Sequence, residues 1–261
     1  MANFVPIRKE QLQNTKIASK RHLGHIAKQH IISVTADEYA QASSSFPIVL
    51  VKTPDSPRHQ SVAMLGLETS ENLYYKNDEW IGLMLPKNAG LAPFSLGLDP
   101  DQENTLVPYI NLDSEFVGED KELPLFDEEG KETELLNNVQ NSLGRLYENE
   151  KRTENLIKEL VENDLLQELE LNMAFASGEK KKLTGIFTID EAKLKALSDE
   201  KVLDFHKRGI FVPIYSMLSS LAQINRLVQL RNETEDRKIS TIQIVPVKKE
   251  EAAAEAETTA S

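Results

Sequence analysis

The chain has 261 residues, of which 40% are hydrophobic and 28% charged, the balance of an ordinary globular protein that can bury a sizeable core. Its formal net charge of -12 opposes long-range attraction to nucleic-acid phosphates and to anionic lipid surfaces, so we expect no generic nucleic-acid binding. It contains no cysteine, which excludes disulfides, thiolate nucleophiles and cysteine zinc sites.

The sequence shows no export or membrane signal. The first 13 residues include charged side chains, and no apolar core of a secretory signal follows them. The longest strongly apolar stretches, 46–51 and 81–85, are far shorter than the roughly 20 residues of a membrane-spanning helix. We therefore expect a protein without a transmembrane segment, resident in the cytoplasm by default.

The first half of the chain is predicted to be rich in β-strands. Short apolar runs follow one another at close spacing and are separated by turn-forming groups, such as those at 53–57 and 87–90. This spacing indicates antiparallel hairpins rather than βαβ units, with one short helix inserted at 37–44. The strand candidates are 31–34, 46–51, 61–67, 72–75, 80–85, 94–98 and 107–112.

A long helix is predicted in the middle of the chain. It follows an acidic stretch, 115–132, whose glycines and proline indicate a loop. From 134 to 161, apolar residues recur every three or four positions, which predicts an amphipathic helix packed on the β-layer. Glu150 and Thr153 interrupt the apolar seam and argue against a long coiled coil. The apolar positions are Val139, Leu143, Leu146, Leu156, Ile157 and Leu160.

The last third is predicted to contain a hairpin and then helices. Alternating apolar residues at 165–175 and 182–187 lie on either side of the turn signal Ser177-Gly178. Capping residues then mark the helix starts. Thr188 and Glu191 match a capping box, Ser198 is a second N-cap for a helix that ends near Gly209, and a final helix covers 213–231.

The elements predict an α+β fold: an antiparallel, β-rich N-terminal half, a long central amphipathic helix, a β-hairpin and C-terminal helices. We expect one domain, 1–232, followed by a largely disordered tail, 233–261, because 248–261 has too little apolar surface to offset ordering entropy. Within the tail, 239–247 is either a short edge strand or unstructured. The predicted parts of the domain are 15–115 (β-rich), 115–132 (acidic loop) and 133–232 (helices and hairpin).

No familiar catalytic constellation is present. The sequence lacks GxGxxG, GxxxxGK[ST], GxSxG and HExxH. His22, His25 and His30 are close in sequence, but they lie among lysines, so we predict neither a metal site nor a cofactor. His206 is interpreted as a cation at a helix C-terminus. A basic cluster near the N-terminus is interpreted as a solvated face: Lys16, Lys20, Arg21, His22, His25 and Lys28.

The most distinctive segment runs from the only tryptophan to a Pro-Phe pair. We take Trp80, Pro86, Pro93 and Phe94 as candidate binding residues, while no residue is assigned a catalytic role. If the segment is exposed, it forms an aromatic and proline-rich recognition surface. If it is buried, it is core. The sequence leaves both interpretations open.

Ordered motifs along residues 15 to 232 resemble the SapC-like family of bacteria. A relative of this family usually has an aromatic residue before the first proline and a basic pair before Pro-Phe, where this chain has Leu85 and Gly90-Leu91-Ala92. That difference puts any contact made by the basic pair in doubt here. The motifs that support the resemblance are 20–23, 46–49, 65–67, 71–73, Trp80, 85–86, 93–94, 125–126, 185–191 and 214–221.

The resemblance implies a family without established catalytic residues, named for a link to surface-array proteins and found near genes for outer-membrane nutrient uptake. We therefore expect a non-catalytic binding or accessory protein linked to envelope, surface-layer or nutrient-uptake systems, with a protein or small molecule as partner. An architectural surface-layer component is a third possibility. The main alternative is an enzyme, or an enzyme helper, with an unfamiliar carboxylate and histidine site. A pocket joining a carboxylate to His22, His59 or Tyr215 would favour that alternative.

Overall fold

The computed structural model describes residues 3–53, 56–233 and 237–247. Its contacts divide the chain into two compact units. The first unit comprises the described residues of Met1–Gly24 and Lys87–Lys151, and the second those of His25–Pro86 and Arg152–Ser261. The expectation of a single domain at 1–232 stays a prediction.

The helices and strands confirm the α+β class. The helices are α1 (Lys9–Leu12), α2 (Tyr39–Ala42), α3 (Glu134–Glu162), α4 (Glu191–Lys195), α5 (Asp199–Lys207), α6 (Phe211–Ser220) and α7 (Ile224–Asn232). The strands are β1 (Phe4–Pro6), β2 (Lys16–Ile17), β3 (Ile31–Ser33), β4 (Ile48–Thr53), β5 (Ser56–Met64), β6 (Tyr75–Lys76), β7 (Glu79–Trp80), β8 (Phe94–Leu98), β9 (Leu106–Asn111), β10 (Val117–Gly118), β11 (Leu123–Pro124), β12 (Leu166–Phe175), β13 (Lys180–Ile189) and β14 (Ile239–Pro246).

The first unit is built from two small antiparallel sheets and the first part of α3. Strands β1, β9 and β8 form one sheet, and β10, β2 and β11 form the other. The apolar face of α3 packs into a common core with residues from both sheets. That core consists of Leu12, Ile17, Phe94, Ile110, Leu125, Phe126, Leu136, Val139 and Leu143.

The second unit contains a six-stranded antiparallel sheet in the order β14-β12-β13-β4-β5-β3. Strand β4 is central, and Ile48, Val49 and Leu50 are fully buried, which explains its continuous apolar sequence. Helix α6 packs on β4 and β13. The sheet therefore brings together strands that are more than 100 residues apart in sequence.

One polar residue in the seam of α3 has a structural explanation. Thr153 is buried in the second unit, and its hydroxyl oxygen accepts a hydrogen bond from the backbone N–H of Ala36 at 2.8 Å. This contact satisfies a donor at the start of the 3-10 turn Ala36–Glu38, which precedes α2. The seam is therefore interrupted by a capping contact.

The predicted capping box at Thr188 is wrong. Strand β13 continues to pair with β12 through Ile189, so Thr188 is a buried strand residue. The next residue, Asp190, is the N-cap of α4, and its carboxylate accepts from the backbone N–H groups of Ala192 and Lys193 at 3.0 and 3.1 Å. The cap moves because strand pairing extends two residues further than the sequence pattern indicates.

Other boundaries also differ from the predictions. The predicted strand at 80–85 is confined to β7, where Asn77 and Asp78 have φ of 50 and 63° and form the two-residue turn from β6. The predicted final helix is divided by a 3-10 turn, Leu221–Gln223. Of the two alternatives for 239–247, the structure has the edge strand, whereas the predicted disorder of 248–261 lies outside the described residues.

Candidate functional site

Trp80 is half-buried within an aromatic cluster of the second unit. Its ring centroid lies 5.9 Å from that of Phe46 and 5.8 Å from that of Tyr74. The indole Nε1–H donates to the backbone carbonyl of Met84 at 2.9 Å. The fixed ring closes the bend that follows β7. Trp80 thus serves the packing of this unit.

The exposed part of the predicted recognition segment is aliphatic. Leu83 is 88% exposed, and Ile81 and Leu85 are also exposed, whereas Pro86 is buried. The chain bends here because Trp80 bonds back to residue 84 and Gly82 lies against the indole ring. The sequence therefore located an apolar surface correctly, but assigned it to the wrong side chains.

Pro93 and Phe94 belong to the first unit and are buried there. Phe94, 5% exposed, begins β8 opposite Ile110 and borders a cleft of about 280 Å³. The structure therefore distributes the four predicted residues over the packing of two units, and ligand binding by them stays a prediction. The other residues around this cleft are Asn88, Leu91, Ser95, Leu96, Leu106, Leu143, Leu146, Tyr147 and Glu150.

A larger concave site lies in the second unit, between the β4–β5 hairpin and the end of α3. Its volume is about 680 Å³, within the range of roughly 300–1,000 Å³ typical of small-molecule pockets. We call it the His59 cleft. It is lined by Lys52, Arg58 and His59 from the hairpin and by Glu154, Asn155, Ile157, Lys158, Val161 and Glu162 from α3.

Antiparallel pairing places the hairpin residues. Lys52 of β4 lies directly opposite His59 of β5. Two residues earlier on the same face, Leu50 lies opposite Phe187 of β13. The three side chains meet on that face: the His59 and Phe187 rings contact edge to face at 4.7 Å, and the Lys52 ammonium lies 4.9 Å from the Phe187 ring centroid.

His59 is held as a neutral imidazole. Burial, and secondly the nearby charge of Lys52, lower the pKa of His59 below its ordinary value, because both disfavour the imidazolium form. Its Nε2 is shielded from solvent and has no hydrogen-bond partner among the described residues. A buried polar atom without a partner is rare in folded proteins and is enriched at functional positions.

The charged groups of the cleft differ in their pairing. Lys158 lies 3.7 Å from Glu162 one turn along α3. In contrast, no carboxylate in the described parts of the chain lies within 4.0 Å of the Lys52 ammonium, whose printed contact is with the Phe187 ring. Ile157 and Val161 add apolar surface to the same wall. The arrangement can therefore hold a compact molecule through one charged contact and an apolar contact.

The histidines near the N-terminus serve other purposes. The His22 Nε2 lies 3.0 Å from a carboxylate oxygen of Glu115, and its ring contacts Phe116 at 4.8 Å. Across the ranges that the structure describes, no group of three or more histidine, aspartate or glutamate side chains is placed to hold a metal ion. His206 lies in the last turn of α5, as predicted.

A comparison with protein families decides the relationship of the chain. The model of the SapC family matches residues 7–227. The chain belongs to the SapC family. This match covers almost the same stretch as the ordered motifs on which the sequence resemblance rested. No curated protein and no solved structure matches this SapC family member. None of its described helices is both long enough and apolar enough to cross a bilayer.

The sequence gave only a partial signal for the His59 cleft. His59 was named among the histidines that a pocket might join to a carboxylate, and the structure places it beside Glu154 and Glu162. Lys52 was missed, since it meets His59 only through strand register. The α3 residues lie about 100 positions further along the chain. The other named residues, His22 and Tyr215, do not line this cleft.

Proposed function

We propose that this SapC family protein is a non-catalytic binding protein that takes a small molecule into the His59 cleft. The proposal rests on one observation: a cleft of about 680 Å³ has a half-buried, neutral histidine whose Nε2 is shielded and unpartnered. The size suits a small organic molecule rather than a polymer. The mixture of apolar wall and a few polar groups is the usual composition of such sites.

Binding is favoured over catalysis by the surroundings of His59. A catalytic histidine is normally oriented by a second polar group that fixes its tautomer, as in the serine hydrolases. The His59 Nε2 has no such partner among the residues described, and its ring is positioned by the edge-to-face contact with Phe187. This supports a role for the ring in shaping the cleft.

We place the binding activity in an accessory role linked to envelope, surface-layer or outer-membrane nutrient-uptake systems. Membership of the SapC family supports this role, since the family takes its name from a link to surface-array proteins. A ligand-binding accessory protein would report on, or deliver, a small molecule to such a system. The ligand found in the cleft would identify which system it serves.

The test is a small-molecule fragment screen by ligand-observed NMR, with a variant that fills the cleft. Val161 is 47% exposed and lines the cleft, so Val161→Trp should occupy it without disturbing the core. Val212→Trp is the matched control, because Val212 is also exposed but lies on α6, outside the cleft. We expect fragments that bind the wild type and Val212→Trp but not Val161→Trp. Equal binding to all three proteins would refute the proposal.

A second candidate function, an enzyme or enzyme helper, is favoured by one observation. Glu154 and Glu162 line the same cleft as His59, so a general base and two carboxylates are available to one ligand. The test is to follow each bound fragment by NMR for chemical change in the wild type and in His59→Phe. Product formation that His59→Phe abolishes would support an enzyme, and unchanged fragments would leave binding alone.

A further inference from the structure

We propose that the His59 cleft selects small organic anions, with an apolar body against α3 and a carboxylate or phosphate group on Lys52. The proposal rests on the proposed function, because it specifies the ligand class of the same cleft. It names a residue, Lys52, that neither the sequence motifs nor the family match assigns to binding. Three structural arguments support it.

The first argument is the local charge. The chain as a whole has a formal charge of -12, whereas the cleft is lined by three cations, Lys52, Arg58 and Lys158, and by two carboxylates. One of those carboxylates, Glu162, is paired with Lys158 within α3. The cleft is thus a site of positive charge on an acidic protein. In a concave, partly desolvated site such charge attracts and holds anions.

The second argument is the state of Lys52. Neighbouring lysines of the same sheet are paired: Lys181 lies 2.9 Å from Glu68, and Lys182 lies 3.1 Å from Glu170. Lys52 has no carboxylate within 4.0 Å among the described residues. Its ammonium is instead held over the Phe187 ring, a cation–π contact that positions the charge without neutralising it. An anion entering the cleft would therefore meet a positioned cation.

The third argument is the apolar wall beside that charge. Ile157 is buried, and Val161 is half exposed one turn further along α3, so the wall can cover a flat or branched hydrocarbon body. An inorganic anion would leave this wall uncovered. Burial of apolar ligand surface is worth about 25 cal/mol per Å², which favours an organic anion over a bare ion.

The experiment uses four probes of similar shape: benzoate, phenyl phosphate, benzyl alcohol and benzylammonium. We expect benzoate or phenyl phosphate to bind the wild type about tenfold more tightly than benzyl alcohol, because a charge-assisted hydrogen bond exceeds a neutral one. Lys52→Met keeps the packing on Phe187 but removes the charge. It should abolish the preference for the anion and leave the affinity for benzyl alcohol unchanged.

Lys195→Met is the matched control, because Lys195 lies on α4 outside the cleft and its side chain is 78% exposed. It should preserve the preference. The preference of benzoate over phenyl phosphate, or the reverse, distinguishes a carboxylate from a phosphate ligand. Tighter binding of benzylammonium or benzyl alcohol, or an anion preference unaffected by Lys52→Met, would overturn the anion proposal.

The two proposals fail in different ways. If neutral or cationic probes bind and Val161→Trp removes them, the cleft is a binding site and only its proposed charge selectivity is wrong. If no probe or screened fragment responds to Val161→Trp, both proposals are wrong. Circular dichroism of each variant confirms that the fold is retained, since Lys52, Val161 and Lys195 are all exposed.

Discussion

The backbone N–H of Ile48 donates a 2.8 Å hydrogen bond to the hydroxyl oxygen of Ser220. The Ser220 hydroxyl in turn donates to the carbonyl of Met217 at 2.6 Å, and the residue is fully buried. The contact joins the end of α6 to the first residue of β4, the strand that leads to Lys52. A single hydroxyl therefore satisfies a backbone donor that no strand partner reaches.

Ser220→Ala is expected to destabilise the protein by about 1–3 kcal/mol, because it leaves the buried Ile48 N–H without an acceptor. Urea denaturation followed by circular dichroism measures the change in the free energy of unfolding. Ser219→Ala is the matched control, since the neighbouring serine is exposed and bonds only within its helix at 3.2 Å. Its effect should stay within about 0.5 kcal/mol. Equal effects for the two variants would contradict the role assigned to Ser220.

Two glycines with open space around them should respond in opposite directions to alanine. Gly185 has φ of 76° and forms the bulge where β13 shifts its register against β12, whereas Gly144 lies in the exposed face of α3. A Cβ at either position meets no atom within 4 Å. The backbone conformation alone therefore decides the outcome.

Gly185→Ala should lower the free energy of unfolding by about 1–2 kcal/mol, the cost of a left-handed conformation for an L-residue. Gly144→Ala should raise it by roughly 0.5–1 kcal/mol, since alanine is the better helix former. Thermal and urea unfolding of both variants measure the difference. A stabilised Gly185→Ala protein would show that the bulge tolerates a side chain and that the φ angle is not the constraint.

Much of the fold could be predicted because it depends on local patterns. The three-and-four spacing of α3, the alternation in β12 and β13, and the Ser198 cap of α5 are all properties of short segments. The cap at 188 failed because strand pairing with β12, a non-local contact, determined where β13 ends. Similarly, 81–85 has the composition of a strand but is bent by the contact of Trp80 with Met84.

The candidate site was less predictable because it is made by register. Lys52 and His59 are seven positions apart, yet they lie opposite each other only in one pairing of β4 with β5. A shift of one residue would turn either side chain to the other face of the sheet. The α3 wall depends on the packing of a helix more than 90 residues later in the chain. Composition and motif spacing give no information about these relationships.

Gly82→Ala is expected to displace the indole of Trp80. A Cβ on residue 82 would lie 2.8 Å from the Trp80 Nε1, closer than side chains approach, and the ring is held on its other side by Phe46 and Tyr74. We expect a loss of about 1–3 kcal/mol of stability, as for overpacking elsewhere. The emission of this single tryptophan should shift to the red, and iodide should quench it more strongly than in the wild type.

The control for this measurement is Gly144→Ala, which changes a glycine of the other unit and should leave the emission unaltered. Wild-type Trp80 should show intermediate quenching, because the ring is half-buried. Identical quenching of wild type and Gly82→Ala would mean that residue 82 moves away from the ring without displacing it. The aromatic cluster would then be less constrained than its geometry indicates.

His59 should make stability depend on pH in a defined window. Its pKa in the folded state is lowered from the ordinary value of 6.5 by burial and by Lys52. The unfolded chain therefore takes up a proton more readily than the folded protein. The stability due to neutral His59 is complete above the ordinary pKa, and it is lost as the pH falls from there through the lower pKa of the folded state.

The measurement is the free energy of unfolding in urea at a series of pH values through this window, for the wild type and for His59→Phe. Phenylalanine keeps the ring contact with Phe187 but cannot titrate, so the variant should lose less stability than the wild type on acidification. Lys52→Met should lie between the two, because it removes the second cause of the lowered pKa. Groups common to all three proteins cancel in the comparison. Parallel curves would mean that His59 titrates alike in the folded and unfolded chain, and the cleft would then not hold it neutral.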